Sequence, residues 1–109
     1  MINIQDFLKT IPKKPGVYQY FNQKGEIIYV GKAKNLQNRI KSYFQKNSDH
    51  SPKTKILVKN ITDIKYIIVN SELEAILLET NLIKEHLPKY NVLMKDDKNF
   101  IYLKITTQD

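Results

Sequence analysis

Arg39 is the only arginine among the 18 basic residues of this chain; every other one is lysine. A guanidinium presents a planar fork of donors that fits a phosphate or carboxylate, and it keeps its charge at any ordinary pH. Residues 32–46 hold Lys32, Lys34, Arg39, Lys41 and Lys46 without a single acid, whereas acids gather at Glu72, Glu74, Glu79 and Glu85. One segment is built to meet anions, and another can carry a carboxylate. The formal net charge of +7 also favours polyanionic partners, because lysines near phosphates release condensed counterions. Scattered lysines commonly do no more than solubilise a surface, so the information lies in the clustering around one guanidinium.

Other chemistries are excluded by composition. The chain has no cysteine, so it offers no disulfide framework, thiolate zinc site or cysteine nucleophile. Its two histidines, His50 and His86, are far apart in sequence and read as exposed side chains rather than a metal pair. No run of about 18 apolar residues occurs, and the opening MINIQDFLKT is too polar for a signal peptide. A cytoplasmic protein with no membrane association is expected. At 109 residues the chain suits one domain with one core.

The elements that must position these residues can be read from periodicity. Apolar Ile4, Phe7, Leu8 and Ile11 keep helical spacing until Pro12 stops them. GVYQYF (16–21) and EIIYVG (26–31) flank NQKG and predict a β-hairpin. Strict alternation places Tyr18 and Tyr20 on one face of the first strand, and Ile27 with Tyr29 on one face of the second. Asn35 can cap a helix whose apolar stripe is Leu36, Ile40, Tyr43 and Phe44, with Arg39 and Tyr43 as neighbours one turn apart. A polar loop over 46–52 precedes a helix over 53–60. DIKYIIV (63–69) is almost continuously apolar and predicts a central strand. Ser71 opens an S-x-x-E capping box for the longest helix, which runs to Pro88 and should be the core one. FIYLKIT (100–106) predicts a last strand.

Within that longest helix, Glu79 lies one turn from Ala75, Ile76, Leu82 and Ile83, a poor setting for a carboxylate that only seeks water. Glu72 and Glu74 occupy the first turn, where the helix dipole accounts for them. Tyr20, Tyr66 and Tyr102 read as ordinary strand aromatics.

GVY at 16–18 and YVG at 29–31 resemble the two half-motifs of the GIY-YIG nucleases. GKAKNLQNRIKSYF (31–44) and EAILLETNLIKEHLPKYNVLMKDDK (74–98) are similar to the amino-terminal nuclease domain of the UvrC family, the incision subunits of bacterial nucleotide excision repair. The similarity spans residues 15–104, departing from the family pattern where NFIYLKI follows KDDK without a proline. It implies an α+β fold, a small and mainly antiparallel sheet flanked by helices, and a single domain over 1–109 that is the amino-terminal fragment of a longer subunit.

By that resemblance, the site residues are Tyr18, Tyr29, Lys32, Arg39, Tyr43 and Asn91, with Glu79 as the ligand of one Mg²⁺ or Mn²⁺ ion. Tyr29 is the candidate general base, with Lys32 as a cation that favours its phenolate. Arg39 addresses the water or the scissile phosphate, and Lys34 and Lys41 are expected to contact DNA phosphates. Asn91 could equally be a turn or helix-end residue that holds the site together, and Glu79 could be a structural partner of Lys84 or Lys53. The implied activity is a nick on the 3′ side of a lesion in damaged double-stranded DNA. UvrB, and UvrA indirectly, would be engaged through parts outside this chain, and the isolated domain is expected to be monomeric. A shorter UvrC-like nuclease, an exonuclease fusion and a DNA-binding module with a decayed site are the alternatives.

Overall fold

The computed structural model describes residues 3–45 and 50–94. The elements run α1 (Ile4–Thr10), β1 (Gly16–Phe21), β2 (Ile27–Ala33), α2 (Leu36–Tyr43), α3 (Pro52–Asn60), β3 (Asp63–Ile68), α4 (Glu72–His86) and α5 (Lys89–Met94). Side-chain oxygens of Asn3, Asn35, Ser51 and Ser71 cap α1 to α4 by accepting from backbone N–H groups of the first turn. Each satisfies a donor that the helix leaves open. The expected α+β class holds: β1 lies between β2 and β3 and pairs antiparallel with both.

The hairpin turns where its residues demand it. Asn22 Oδ1 accepts from the N–H groups of Lys24 and Glu26, each at 3.0 Å, and Gly25 adopts φ +81°, a conformation that costs glycine little. The register then slips once. Tyr20 faces Tyr29 but Phe21 faces Ile27, which leaves Ile28 as an extra residue in β2. Strict alternation therefore fails at this point: Ile28 joins Tyr29 on the face that holds Tyr18 and Tyr20, while Ile27 packs on the other.

Two apolar layers enclose the sheet. On one face Tyr18, Tyr20, Ile28 and Ile64 pack with Leu8 of α1, Leu36, Ile40 and Tyr43 of α2, Leu57 of α3 and Tyr90 of α5. On the other, Val17, Val30 and Val69 meet Ala75, Leu78, Leu82 and Ile83 of α4.

Two sequence expectations need correction. Among the described residues β3 is an edge strand rather than a central one, with Ile67 and Ile68 both exposed; its apolar run reflects β-propensity and not burial on two faces. The longest helix lies over the sheet instead of inside the core: Ala75 is its only buried residue, and Leu73, Ile76, Leu77 and Leu87 are exposed. The chain also forms α5 directly after Pro88, where no helix was expected. Leu87 takes a left-handed conformation, φ 43°, to end α4. The strand expected at 100–106, with Tyr102, lies outside the described residues.

Candidate active site

Four tyrosine rings from β1, β2 and α2 pack against one another. Tyr18 and Tyr20 from β1 have centroids 5.1 Å apart, Tyr29 of β2 lies 6.3 Å from Tyr18, and Tyr43 of α2 lies 5.9 Å from Tyr18 and 6.4 Å from Tyr29. Gly31 makes this approach possible. It faces Tyr18 across the ladder, and any Cβ there would run into the Tyr18 ring and hydroxyl. The glycine of the YVG half-motif is required by the phenol of the GVY half-motif.

The hydroxyls form a short chain. Tyr18 and Tyr43 share a hydrogen bond of 2.9 Å, and Arg39 Nε donates to Tyr18 Oη at 3.4 Å. The Arg39 guanidinium also lies 5.6 Å from the centroid of the Tyr43 ring, within cation–π range. Burial pushes the Tyr18, Tyr20 and Tyr29 phenols well above their ordinary value, and the neighbouring tyrosines add to the shift. Arg39 opposes it at all three. Among the described residues the cation that faces the phenols is thus Arg39. Lys32 points from the opposite face of β2, beside Val30 in the alternation, and acts on Glu79 instead.

Glu79 is half-buried on α4. Desolvation raises its carboxyl, while the Lys32 ammonium and backbone N–H favour the charged form. Among the described residues no lysine or arginine side chain forms an ion pair with it within 4.0 Å, so neither Lys84 nor Lys53 neutralises it; Lys53 Nζ donates to the Leu93 carbonyl at 3.1 Å. The Glu79 charge is felt by Tyr29. The site therefore straddles β2, which is an edge strand among the described residues, with phenols on one face and the carboxylate on the other.

An open groove of about 520 Å³ runs beside these groups, lined by Lys32, Lys34, Asn35, Asn38, Arg39 and Glu72 among others. Lys34 is brought to it. Lys41 is exposed in the last turn of α2 and does not line it. Asn91 is also away from the phenols. Buried in α5, its side chain accepts from Val30 N–H at 2.7 Å and donates to Val30 C=O at 2.9 Å. It mimics a neighbouring strand along the outer edge of β2.

A profile of the UvrC-like GIY-YIG domain matches residues 14–92. The chain belongs to this family. The UvrABC system protein C of Alkaliphilus oremlandii is 53% identical over 109 residues, covering 100% of this chain and 18% of that protein. The protein of the same name from Clostridium botulinum strain Hall is 56% identical over 106 residues, covering 97% of this chain and 17% of that protein. The chain thus spans less than a fifth of the length of these relatives. The crystal structure of the GIY-YIG N-terminal endonuclease domain of UvrC from Thermotoga maritima, bound to magnesium as its catalytic divalent cation, superposes with a TM-score of 0.71. It is 38% identical and covers 83% of this chain and 98% of that one.

The donor set of this GIY-YIG domain fits a hard divalent cation. Glu79 supplies one partly buried carboxylate with no close ion pair among the described residues, which also contain no cluster of three or more histidine, cysteine, aspartate or glutamate residues. A single carboxylate suits Mg²⁺ or Mn²⁺, which keep much of their hydration, and does not suit zinc. Among the described residues no helix is long and apolar enough to cross a membrane.

Proposed function

We propose that this chain is a metal-dependent DNA endonuclease domain that cuts one strand on the 3′ side of a lesion during nucleotide excision repair, leaving a 3′ hydroxyl and a 5′ phosphate. The observation that carries this reading is the arrangement around β2. Arg39 is tied to the linked Tyr18 and Tyr43 hydroxyls with Tyr29 beside them, and Glu79 acts on Tyr29 from the other face.

In this reading Tyr29 is the group that takes a proton from the attacking water. Tyr18, Tyr20 and Tyr43 are buried, whereas Tyr29 keeps part of its surface exposed. Burial holds its pKa up, so the phenol is protonated in the free domain and acts as base only after giving its own proton to solvent; among the described residues Arg39 is the charge that favours the phenolate. Arg39 also binds an equatorial phosphoryl oxygen and stabilises charge that grows there. Tyr18 and Tyr43 fix the guanidinium. A divalent ion at Glu79, Mg²⁺ or Mn²⁺, supplies Lewis-acid stabilisation of the departing 3′ oxygen. Lys32 steadies the carboxylate, Lys34 contacts a flanking phosphate along the groove, and Lys41 meets the duplex farther out. Asn91 holds β2 in place.

The substrate is damaged double-stranded DNA. Contacts to UvrB, and through it to UvrA, belong to parts of the relatives that this chain does not span, and the domain itself acts as a monomer in the cytoplasm. A nicking assay on lesion-containing duplex with Mg²⁺ or Mn²⁺, in the presence of the other repair proteins, tests the reading. Loss of the 3′ nick in both Glu79→Ala and Arg39→Ala is expected. A wild-type rate of nicking in either variant would overturn the assignment.

A further inference from the structure

The fourth ring of the cluster has no role in the reaction as described so far. Tyr20 is wholly buried, and its hydroxyl has no hydrogen-bond partner among the described residues. A buried phenol without a partner loses its bonds to water and gains nothing in return. The same residue touches all three site tyrosines. Its ring lies 5.1 Å from Tyr18, its neighbour on the same face of β1, and 6.1 Å from Tyr29, its cross-strand partner, nearly stacked at 27°. Tyr43 meets it edge-on at 5.1 Å and 82°, and Phe44 also lies edge-on to it at 6.3 Å.

We propose that Tyr20 is a positioning residue for the incision chemistry: its ring fixes Tyr18, Tyr29 and Tyr43 relative to one another, and its hydroxyl plays no part. The kinetic half of this inference rests on the nuclease reading above; the geometric half does not. The three rings come from three elements, β1, β2 and α2, and Tyr20 is a common packing surface for all of them. Edge-on and offset contacts are directional, so the ring constrains orientation as well as spacing. The Tyr18–Tyr43 bond and the Arg39 contact both depend on where these rings sit. Displacing reacting groups by about 1 Å can cost about 100-fold in rate.

The hydroxyl and the ring can be separated by substitution. Tyr20→Phe keeps the ring and removes the unpartnered phenol. It should retain kcat within about twofold and raise Tm by roughly 4–8 °C. Tyr20→Ala removes the packing surface and should lower kcat roughly 100-fold with little change in KM for DNA; Tyr20→Leu, which keeps more of the core, should give a smaller loss of the same kind should the alanine variant not fold. Val69→Ala, in the apolar layer on the opposite face, should lower Tm yet leave kcat unchanged. Tyrosine ring resonances of the labelled 109-residue chain provide a readout besides activity: those of Tyr18, Tyr29 and Tyr43 should shift in Tyr20→Leu and stay in place in Tyr20→Phe.

Full activity with unshifted resonances in Tyr20→Leu would overturn the proposal, as would a loss in Tyr20→Phe as large as in Tyr20→Leu, which would give the hydroxyl a chemical role. Failure of the nuclease reading looks different: the wild type does not nick, or Glu79→Gln nicks as well as it does. The ring resonances then decide the positioning role alone, and unshifted resonances in Tyr20→Leu sink it.

Discussion

Tyr18 of β1 and Tyr43 of α2 join hydroxyl to hydroxyl at 2.9 Å across 25 residues of sequence, and Arg39 contacts both, the first through Nε and the second through its ring face. A strand and a helix are thereby linked at the point where the guanidinium projects. The contact to Tyr18 uses one N–H of the fork, and among the described residues the terminal nitrogens remain available to meet an anion. Charge alone would not give this arrangement, because an ammonium on a flexible stem cannot bond a phenol and present a planar pair of donors together.

Arg39→Lys should therefore keep the fold and most of the DNA affinity while incision falls by about 10²–10³-fold, the loss typical of removing one stabilising donor in the transition state. Filter binding and single-turnover nicking, measured side by side, check this. Equal rates for the two proteins would mean that the solitary arginine among 18 basic residues is an accident of composition.

Glu79 offers the opposite combination of effects. Its carboxyl is pushed up by desolvation despite the help of Lys32. A folded-state pKa above the unfolded one means that the protonated group favours folding at low pH, and that this contribution disappears as pH rises through the folded value. At neutral pH the ionised side chain is a net cost. Glu79→Gln should thus raise Tm at pH 7, leave Tm nearly unchanged near pH 4, and abolish metal-dependent nicking. Thermal melts at the two pH values, set against Mg²⁺ titrations of activity, would reveal a lower Tm at pH 7 if the carboxylate were instead a stabilising partner of Lys32.

Period-two alternation and helical spacing are local properties, and they placed Tyr18 and Tyr29 on the hairpin, Arg39 beside Tyr43, and Glu79 on the later helix; that these residues make one candidate site was legible through the resemblance of GVY and YVG to the family's half-motifs. What they missed depended on three-dimensional neighbours. Tyr20 looked like any strand aromatic, since nothing local shows that its ring meets three others. The extra residue Ile28 broke the alternation, and no turn or glycine signal marked it. Lys32 was expected to assist Tyr29, yet alternation itself sends the two side chains to opposite faces. The residues around Asn91 suggested only a turn or helix end, and the resemblance a site residue; neither shows its bond to the Val30 backbone, 61 positions away. The apolar run of β3 and the stripe of α4 overstated burial, since propensity and pattern do not say how many layers cover an element.

The buried phenols predict the alkaline limit of stability. Tyr18, Tyr20 and Tyr29 are all held above the ordinary tyrosine value, so between pH 7 and about 9 they are protonated folded or unfolded and contribute no slope. Above about pH 10 the unfolded chain releases these protons and the folded chain retains them. Stability should then fall with rising pH, by about 1.4 kcal/mol per pH unit for each phenol that has titrated in the unfolded state only. Urea midpoints at pH 9 and pH 11, followed with tyrosinate absorbance, should show unfolding and phenol ionisation moving together. Titration of all seven tyrosines near pH 10 without unfolding would contradict the buried cluster.

Asn91 holds β2 without touching the phenols, and its removal should separate scaffold from chemistry. Val30 is fully buried, and its N–H and C=O are both satisfied by the Asn91 amide at 2.7 and 2.9 Å. Asn91→Ala strands two backbone groups, each costing about 1–3 kcal/mol when left buried and unpaired, so a loss of roughly 2–6 kcal/mol is expected. Asn91→Asp keeps an acceptor for the N–H but sets a carboxylate oxygen against the Val30 carbonyl, and should recover less than half of that loss. Because Tyr29 and Gly31 flank Val30, incision should also drop at temperatures where the variant remains folded. Glu79 sits on α4, which Asn91 does not hold, so Mg²⁺ affinity measured in the presence of DNA should change far less than kcat. A variant as stable as the wild type, or one in which metal affinity and kcat fall equally, would refute the view that Asn91 acts by clamping the strand that carries Tyr29.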